Sequence, residues 1–291
     1  MPDSIYKGRK AEAEILALYD EALAGLGTWY ESLTVPTTYG DTHVLALGPE
    51  DAPPALFLPG GNFLNPTCLR WFQRLADVHR VYAPDLIGQP GKSAQARLSP
   101  RGDDHALWTG DVLDGLGLKS VPVVGLSYGA GLAIRLMGRA PGRVTRAVLV
   151  SPAGVASGKI RQMVTQVVVP MLGYRLRPTG ERLMRAARPI LTEPDDTAVR
   201  QLGAIYRNVR LDAGLPRMAK EDELQDFEGP VVVFAAEDDV FFPAQAVLPR
   251  AREIFPNLVR AECLRGCHHV PSPSALTIVN GYIKGFFAGR G

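Results

Sequence analysis

The sequence predicts an α/β fold in which helices wrap a parallel sheet and one helical segment is inserted between two strands. The first observation is that short apolar runs alternate with turn residues and helical stretches, which is typical of buried parallel strands. The second is that residues 155–225 break this alternation, since they contain several helical stretches and no convincing strand. The apolar runs that predict strands are residues 55–58, 81–83, 121–124, 144–150, 231–235 and 258–264.

Three further elements flank these runs. Residues 7–27 place apolar side chains at helical spacing and predict a first helix. Residues 28–48 predict a hairpin that turns at Gly40. Residues 274–287 carry an apolar stripe and predict the last helix.

The composition suits a globular α/β protein and argues against several other classes. The 291 residues are 46% hydrophobic and 21% charged, which allows a sizeable buried core. A formal net charge of +2 does not suggest general nucleic-acid binding. No apolar run is long enough for a membrane span, the N-terminus lacks a signal core, and three cysteines make no disulfide framework. We therefore expect a cytoplasmic protein.

The inserted segment differs from the remainder in charge. Residues 155–220 contain 12 Lys and Arg residues against 5 Asp and Glu residues. This excess fits either a solvated helical surface or a cationic lid that attracts anionic substrates. We interpret the apolar run 167–172 as the inner face of this segment, lining an acyl pocket or packing in its core, rather than as a membrane contact.

A G-x-S-x-G pentapeptide carries the chemistry, with Ser127 at its centre. It follows the apolar run 121–124 and precedes a helical stretch, which is the strand–turn–helix setting of a nucleophile elbow. Gly125 and Gly129 avoid the crowding that side chains two residues before and after the serine would cause. The turn also points the amide of Tyr128 at a future oxyanion, near a helix N-terminus.

A serine hydroxyl needs a base, and the base needs an orienting acid. With a nucleophile elbow, the chain order is serine, acid and histidine. The acid is expected after the run 231–235, where Glu237, Asp238 and Asp239 follow one another. We choose Asp239 because it begins a D-x-x-x-P turn. Asp238 is the second choice of acid and Glu237 is the third.

The histidine is expected after the last apolar run, 258–264. His268 and His269 follow it, and they are the only histidines after Ser127. We choose His269 as the base because it completes a G-x-x-H arrangement from Gly266, and we interpret His268 as a surface or supporting residue. Cys263 and Cys267 lie beside this pair, but no second pair of matching ligands exists elsewhere, so we expect no metal site.

The second oxyanion donor is expected in the glycine-rich loop at residues 59–63. We assign the amide of Gly61, with the amide of Asn62 as the alternative. A hydrophobic substrate site is then expected nearby. Its predicted members are Asn62, Phe63, Phe241 and Phe242.

Taken together, these motifs resemble the α/β-hydrolase superfamily over residues 28–290, and most of all its bacterial carboxylesterase-type members. Residues 83–93 also resemble the family's D-x-x-G-x-G-x-S stretch, whereas Pro59 stands where the family often has histidine. The resemblance implies a mostly parallel eight-stranded sheet flanked by helices. It also implies a core of residues 1–154 and 226–291, with residues 155–225 as a helical cap.

The resemblance implies a serine hydrolase that cleaves a small-molecule ester or related acyl bond through an acyl-enzyme, without cofactor or metal. Two alternatives stay open. One is a C–C bond hydrolase or lyase that uses the same three side chains, and the other is a ligand receptor on a hydrolase scaffold. An exposed cap would also offer a surface for a homodimer.

Overall fold

One sheet forms the centre of the molecule in a computed structural model that describes residues 4–211 and 214–289. Within these residues the sheet has eight strands, and their spatial order is 1-2-4-3-5-6-7-8. The first two pairings, 1 with 2 and 2 with 4, are antiparallel, and the others are parallel. The strands are β1 (Tyr30–Val35), β2 (Thr42–Leu47), β3 (Pro54–Leu58), β4 (Arg80–Pro84), β5 (Val121–Leu126), β6 (Val144–Val150), β7 (Val231–Ala236) and β8 (Leu258–Leu264).

The predicted fold class is confirmed, and the burial of the strands gives the physical reason. Each of the six apolar runs forms a strand, and the predicted hairpin is the β1–β2 pair. All of β7 is buried because helices cover both faces of the sheet there. Its alternate side chains enter two separate apolar clusters, Val232 and Phe234 on one face and Val233 and Ala235 on the other.

Helices pack on both faces and connect the parallel strands. The predicted first and last helices are present with slightly different ends. The α-helices are α1 (Arg9–Ala24), α2 (Asn65–Phe72), α3 (Asp104–Gly115), α4 (Tyr128–Arg139), α5 (Ile160–Met163), α6 (Val169–Leu176), α7 (Gly180–Ala187), α8 (Asp196–Asn208), α9 (Ala244–Ile254) and α10 (Pro273–Phe287).

The segment between β6 and β7 is helical in its described part. Its first helix runs continuously over residues 160–176, because a π-helical turn, Val164–Val168, joins α5 to α6. Pro170 lies just after this turn. Proline has no N–H and its ring crowds the carbonyl one turn earlier, so a wider turn at this position relieves the helix. We call residues 160–176 the insertion helix.

The apolar run 167–172 is only partly directed inward. Val167 and Met171 pack against the core cluster, as the interpretation of this run as an inner face expects. Val168, Val169 and Leu172 do not pack in the core of the segment, since their exposed fractions are 38%, 56% and 46%. Six consecutive apolar residues are distributed around the whole circumference of a helix. Only the side of the helix that faces the core can bury its side chains, and the other side remains exposed.

The N-terminal segment packs against the inserted helices, which the sequence did not predict. Tyr6 forms an antiparallel bridge with Val209, and the Lys7 amide donates to the Asn208 carbonyl at 2.9 Å. Further along, Arg207 pairs with Glu14 on α1 at 2.8 Å. The segment before the sheet therefore attaches to the end of α8.

The three cysteines are unpaired, and their surroundings differ. Cys68 is a buried residue of α2, and burial raises the pKa of its thiol to about 12. Cys267 is also buried, whereas Cys263 is half-buried on the edge strand β8. None of the helices in the described part of the chain has the length and apolarity needed to cross a bilayer.

We expect the native protein to react with a chromogenic disulfide reagent at Cys263 alone. At pH 8 only about one part in ten thousand of a thiol with the pKa of Cys68 is thiolate, and burial also blocks access. After unfolding in denaturant, all three thiols should react. The Cys263→Ser variant should lose the native signal, and rapid titration of three thiols in the native protein would contradict the buried positions of Cys68 and Cys267.

Candidate active site

The backbone turns sharply at Ser127, the single residue between β5 and α4. Its φ is +52° and its ψ is −114°, a conformation that residues other than glycine rarely adopt. The amide of Ser127 donates to the Val150 carbonyl at 2.9 Å, so the turn is tied to the neighbouring strand β6. The serine side chain is half-buried at the carboxyl end of the sheet.

The two glycines of the pentapeptide are required by close backbone approaches. A Cβ at Gly125 would lie 2.5 Å from the Cα of Ala130, and one at Gly129 would lie 2.2 Å from the Leu58 carbonyl oxygen. Gly129 is therefore crowded mainly by the end of β3, and not by the residue on the other side of Ser127 as expected. Any side chain here would push α4 away from the sheet.

Ser127, His269 and Asp239 form one hydrogen-bonded chain. The imidazole Nε2 of His269 lies 2.8 Å from the Oγ of Ser127, and its Nδ1 lies 2.8 Å from Oδ2 of Asp239. A carboxylate can only accept, so Nδ1 of the neutral ring carries the proton. Nε2 is then left to accept from the serine hydroxyl.

Asp239 is the carboxylate that the fold directs toward the imidazole. Its side chain is buried, and its other oxygen accepts from the Phe241 amide at 2.7 Å. Its two acidic neighbours are exposed: Glu237 accepts from the Gly266 amide at 2.9 Å, and Asp238 does not reach the ring of His269. Of the three candidate acids, the structure thus brings Asp239 to the histidine.

His268 is turned away from Ser127. Its ring Nδ1 lies 3.3 Å from the Asp238 carbonyl, and its amide donates to the Thr192 hydroxyl at 2.9 Å. Thr192 belongs to the inserted segment and also donates, through its hydroxyl, to the Val270 carbonyl at 2.7 Å. The Val270 amide completes the contact by donating to the Ile190 carbonyl at 2.7 Å.

This contact between residues 190–192 and the histidine loop was missed by the sequence analysis. It joins positions separated by 76 residues or more in the chain, and no local pattern in either segment signals the pairing. Ser151 was missed for the same reason. Its hydroxyl donates to the His269 carbonyl at 2.9 Å and so fixes the backbone of the histidine loop from the end of β6.

Two of the three predicted aromatic residues, Phe241 and Phe242, lie beside the histidine. The Phe241 ring meets the imidazole edge-on with centroids 4.9 Å apart, and the Phe242 ring lies at 5.7 Å. Phe242 is 2% exposed and leaves almost no surface for a substrate, whereas Phe241 is half-buried. Phe63 is largely buried and packs on Trp71 at 5.5 Å.

The glycine-rich loop lies directly beside the serine. The Asn62 backbone amide donates to Oε1 of Gln89 at 2.8 Å. This hydrogen bond occupies the N–H, so the amide is not available to an oxyanion. Gly61 lies against Tyr128, since a Cβ on it would be 3.0 Å from the Tyr128 Cβ. The Tyr128 hydroxyl points away toward α3 and lies 2.8 Å from Nε2 of His105. Of the two candidate amides in the loop, Gly61 is the one that the Gln89 contact leaves for a substrate.

The chemistry available at this place is acid–base and nucleophilic. A hydroxyl, an imidazole and a carboxylate are aligned, with a helix N-terminus beside the hydroxyl. The part of the chain that the structure describes contains no group of three or more His, Cys, Asp or Glu side chains arranged to hold a metal ion.

Known proteins are similar to this chain in sequence and fold. Residues 55–278 match the alpha/beta hydrolase family. The chain is 29% identical over 281 residues to an uncharacterized carboxylesterase of Bacillus subtilis (strain 168), across 92% of this chain and 90% of that protein. The crystal structure of naproxen esterase from Bacillus subtilis superposes with a TM-score of 0.84 at 26% identity, covering 97% of this chain and 99% of that one.

A shorter match relates the chain to a different hydrolase. Over 90 residues it is 40% identical to a 2-hydroxymuconate semialdehyde hydrolase of Pseudomonas putida, which is 28% of this chain and 30% of that protein. The family match covers well over half of the chain, and the esterase matches cover nearly all of it. The chain therefore belongs to the alpha/beta hydrolase family, as an esterase-like member.

Proposed function

We propose that the protein hydrolyses carboxylic esters of small molecules through an acyl-enzyme on Ser127. His269 acts as the base, and Asp239 orients it and stabilises its protonated form. The observation that carries the proposal is the hydrogen-bonded chain from Asp239 through His269 to Ser127, with both contacts at 2.8 Å. The similarity to carboxylesterases over nearly the whole chain supports the substrate class.

The reaction proceeds in two steps. In the first, Ser127 attacks the ester carbonyl while its proton passes to Nε2 of His269, and the imidazolium then returns that proton to the leaving alcohol. In the second, water attacks the acyl-enzyme by the same route and releases the acid. The aromatic rings of Phe241 and Phe242 exclude water from one side of the imidazole, and this strengthens its interaction with the Asp239 carboxylate.

The amides of Gly61 and Tyr128 stabilise the tetrahedral oxyanion. Tyr128 is the first residue of α4, where the helix dipole favours negative charge. Gly61 is the donor from the loop after β3, since the Asn62 amide is already bound to Gln89. Each such donor is typically worth about 3 kcal/mol of transition-state stabilisation.

We assign residues 155–225 to a helical cap and residues 1–154 and 226–291 to the catalytic core. Support comes from the helices inserted between β6 and β7 and from the hydrogen bonds of Thr192 to the histidine loop. On this assignment Asn62, Phe63 and Phe241 lie where the acyl or alcohol group of the ester meets the core. Phe242 is buried and packs against the imidazole ring of His269.

A second candidate function is hydrolysis of a C–C bond beside a carbonyl group. The local similarity to a 2-hydroxymuconate semialdehyde hydrolase favours it. The same three side chains would serve, because an enol tautomer of such a substrate can be ketonised and then attacked at its carbonyl. Ester turnover and ring-fission substrate turnover, measured side by side, separate the two candidates.

The Ser127→Ala variant should lose at least about a thousandfold in kcat/KM toward p-nitrophenyl acetate and butyrate, because the nucleophile is removed. The far-ultraviolet circular dichroism spectrum should stay unchanged, since alanine leaves the turn intact. Full turnover by this variant would contradict the proposal. A folded wild-type protein inactive on every ester but active on a ring-fission semialdehyde would favour the second candidate.

The Asp239→Asn variant should lose about three orders of magnitude in kcat. Asparagine can still accept from the Phe241 amide, but its NH₂ group would donate to Nδ1 of His269 and impose the wrong tautomer.

Asp238→Asn is the matched control for this change, because Asp238 is adjacent, acidic and exposed. Steady-state kinetics of the control should stay within about twofold of wild type. An equal loss in both variants would argue against Asp239 as the acid.

A further inference from the structure

The insertion helix carries a concentration of exposed apolar side chains. Twelve large hydrophobic residues of the described chain are exposed, and six of them lie within residues 160–176. Single exposed apolar residues are ordinary on a protein surface, whereas a group concentrated on one short helix is a candidate contact surface whose charge and size must be considered. We call this group the apolar stripe: Ile160, Val164, Val168, Val169, Leu172 and Leu176.

The spacing of the stripe puts it on one side of the helix. Five of its six members recur every four residues from Ile160 to Leu176, which is slightly more than one α-helical turn, and Val169 lies beside Val168. In a regular α-helix such a row would wind slowly around the axis. The wider π turn, Val164–Val168, turns less per residue and offsets this drift in the middle of the row.

The charged residues of the insertion helix and of the residues directly beside it in the sequence are all positive. Residues 155–180 contain four Lys and Arg residues and no Asp or Glu. Lys159, Arg161 and Arg177 are exposed, and none of them forms an ion pair with another described residue. A helix with an apolar side bordered by uncompensated cations fits the interface between water and an anionic bilayer.

The size of the stripe favours a bilayer over a second copy of the chain. A helix of 17 residues is about 25 Å long, so a stripe about 10 Å wide covers about 250 Å². A standard protein interface buries about 800 Å² on each partner. Two cationic stripes facing each other would in addition repel.

We propose that the insertion helix docks the protein on an anionic phospholipid surface, with the apolar stripe in the headgroup region and Lys159, Arg161 and Arg177 against the lipid phosphates. The helix lies in the plane of the interface and does not cross the bilayer. Docking needs no ester chemistry, so it holds or fails independently of the proposed function.

Sedimentation with lipid vesicles tests this docking. Wild-type protein should bind vesicles containing about 30% phosphatidylglycerol at least about tenfold more tightly than pure phosphatidylcholine vesicles. High salt should weaken that binding. The Ser127→Ala variant should bind like wild type.

Paired substitutions separate the two contributions. Leu172→Gln with Leu176→Gln should lower binding to both vesicle types at least about tenfold, because apolar contact is lost. Arg161→Gln with Arg177→Gln should lower binding about tenfold to the anionic vesicles alone. The controls are Ile278→Gln and Arg252→Gln, equally exposed residues of α10 and α9, and both should bind like wild type.

Three results would overturn the docking. The first is no sedimentation of the wild-type protein with any vesicle, and the second is equal loss in the control variants. The third is a wild-type dimer, measured by light scattering, that becomes monomeric in the Leu172→Gln, Leu176→Gln variant, since a second copy would then cover the stripe. Circular dichroism checks that each variant is folded.

Discussion

The backbone reverses direction between β5 and α4 at one residue, Ser127, and the geometry of the candidate site is built around that reversal. Gly129 must pass within contact distance of the end of β3, so the turn requires β3 and β5 to be paired in register. The Ser127 amide is bonded to the end of β6, and the next residue of that segment, Ser151, holds the His269 carbonyl. A shift in any of these strands would therefore move Ser127 relative to His269.

Burial of charge is the second requirement of the site. A carboxylate without water is costly unless its oxygens are bonded, and Asp239 meets this condition with the Phe241 amide and the His269 ring. Phe241 serves twice, since its amide binds the carboxylate and its ring covers the imidazole. The environment of the Asp239–His269 pair thus depends on the apolar packing of Phe241 and Phe242.

The sequence predicted what local physics determines. The strands, the Ser127 elbow and the order of acid and histidine follow from burial runs and glycine positions within a few residues. Which of Glu237, Asp238 and Asp239 turns inward depends on the path of the loop, and the D-x-x-x-P turn favoured the one found beside the imidazole. The inserted segment was predicted less completely. The run 167–172 could not show which side faces water, and the contacts of Tyr6 and Thr192 join distant segments.

The pairing of residues 190–192 with the histidine loop couples two parts of the protein that are easily treated as independent. Thr192 and Ile190 hold His268 and Val270, the residues on either side of His269. Local unfolding of this segment would release those bonds, so the stability of the histidine loop against local opening depends on it. Replacing the inserted helices with those of a relative would therefore exchange part of the support of His269, the proposed base. A chimaera that exchanges the other inserted residues but keeps residues 190–192 native would change the shape of the pocket and leave the support of the histidine loop intact.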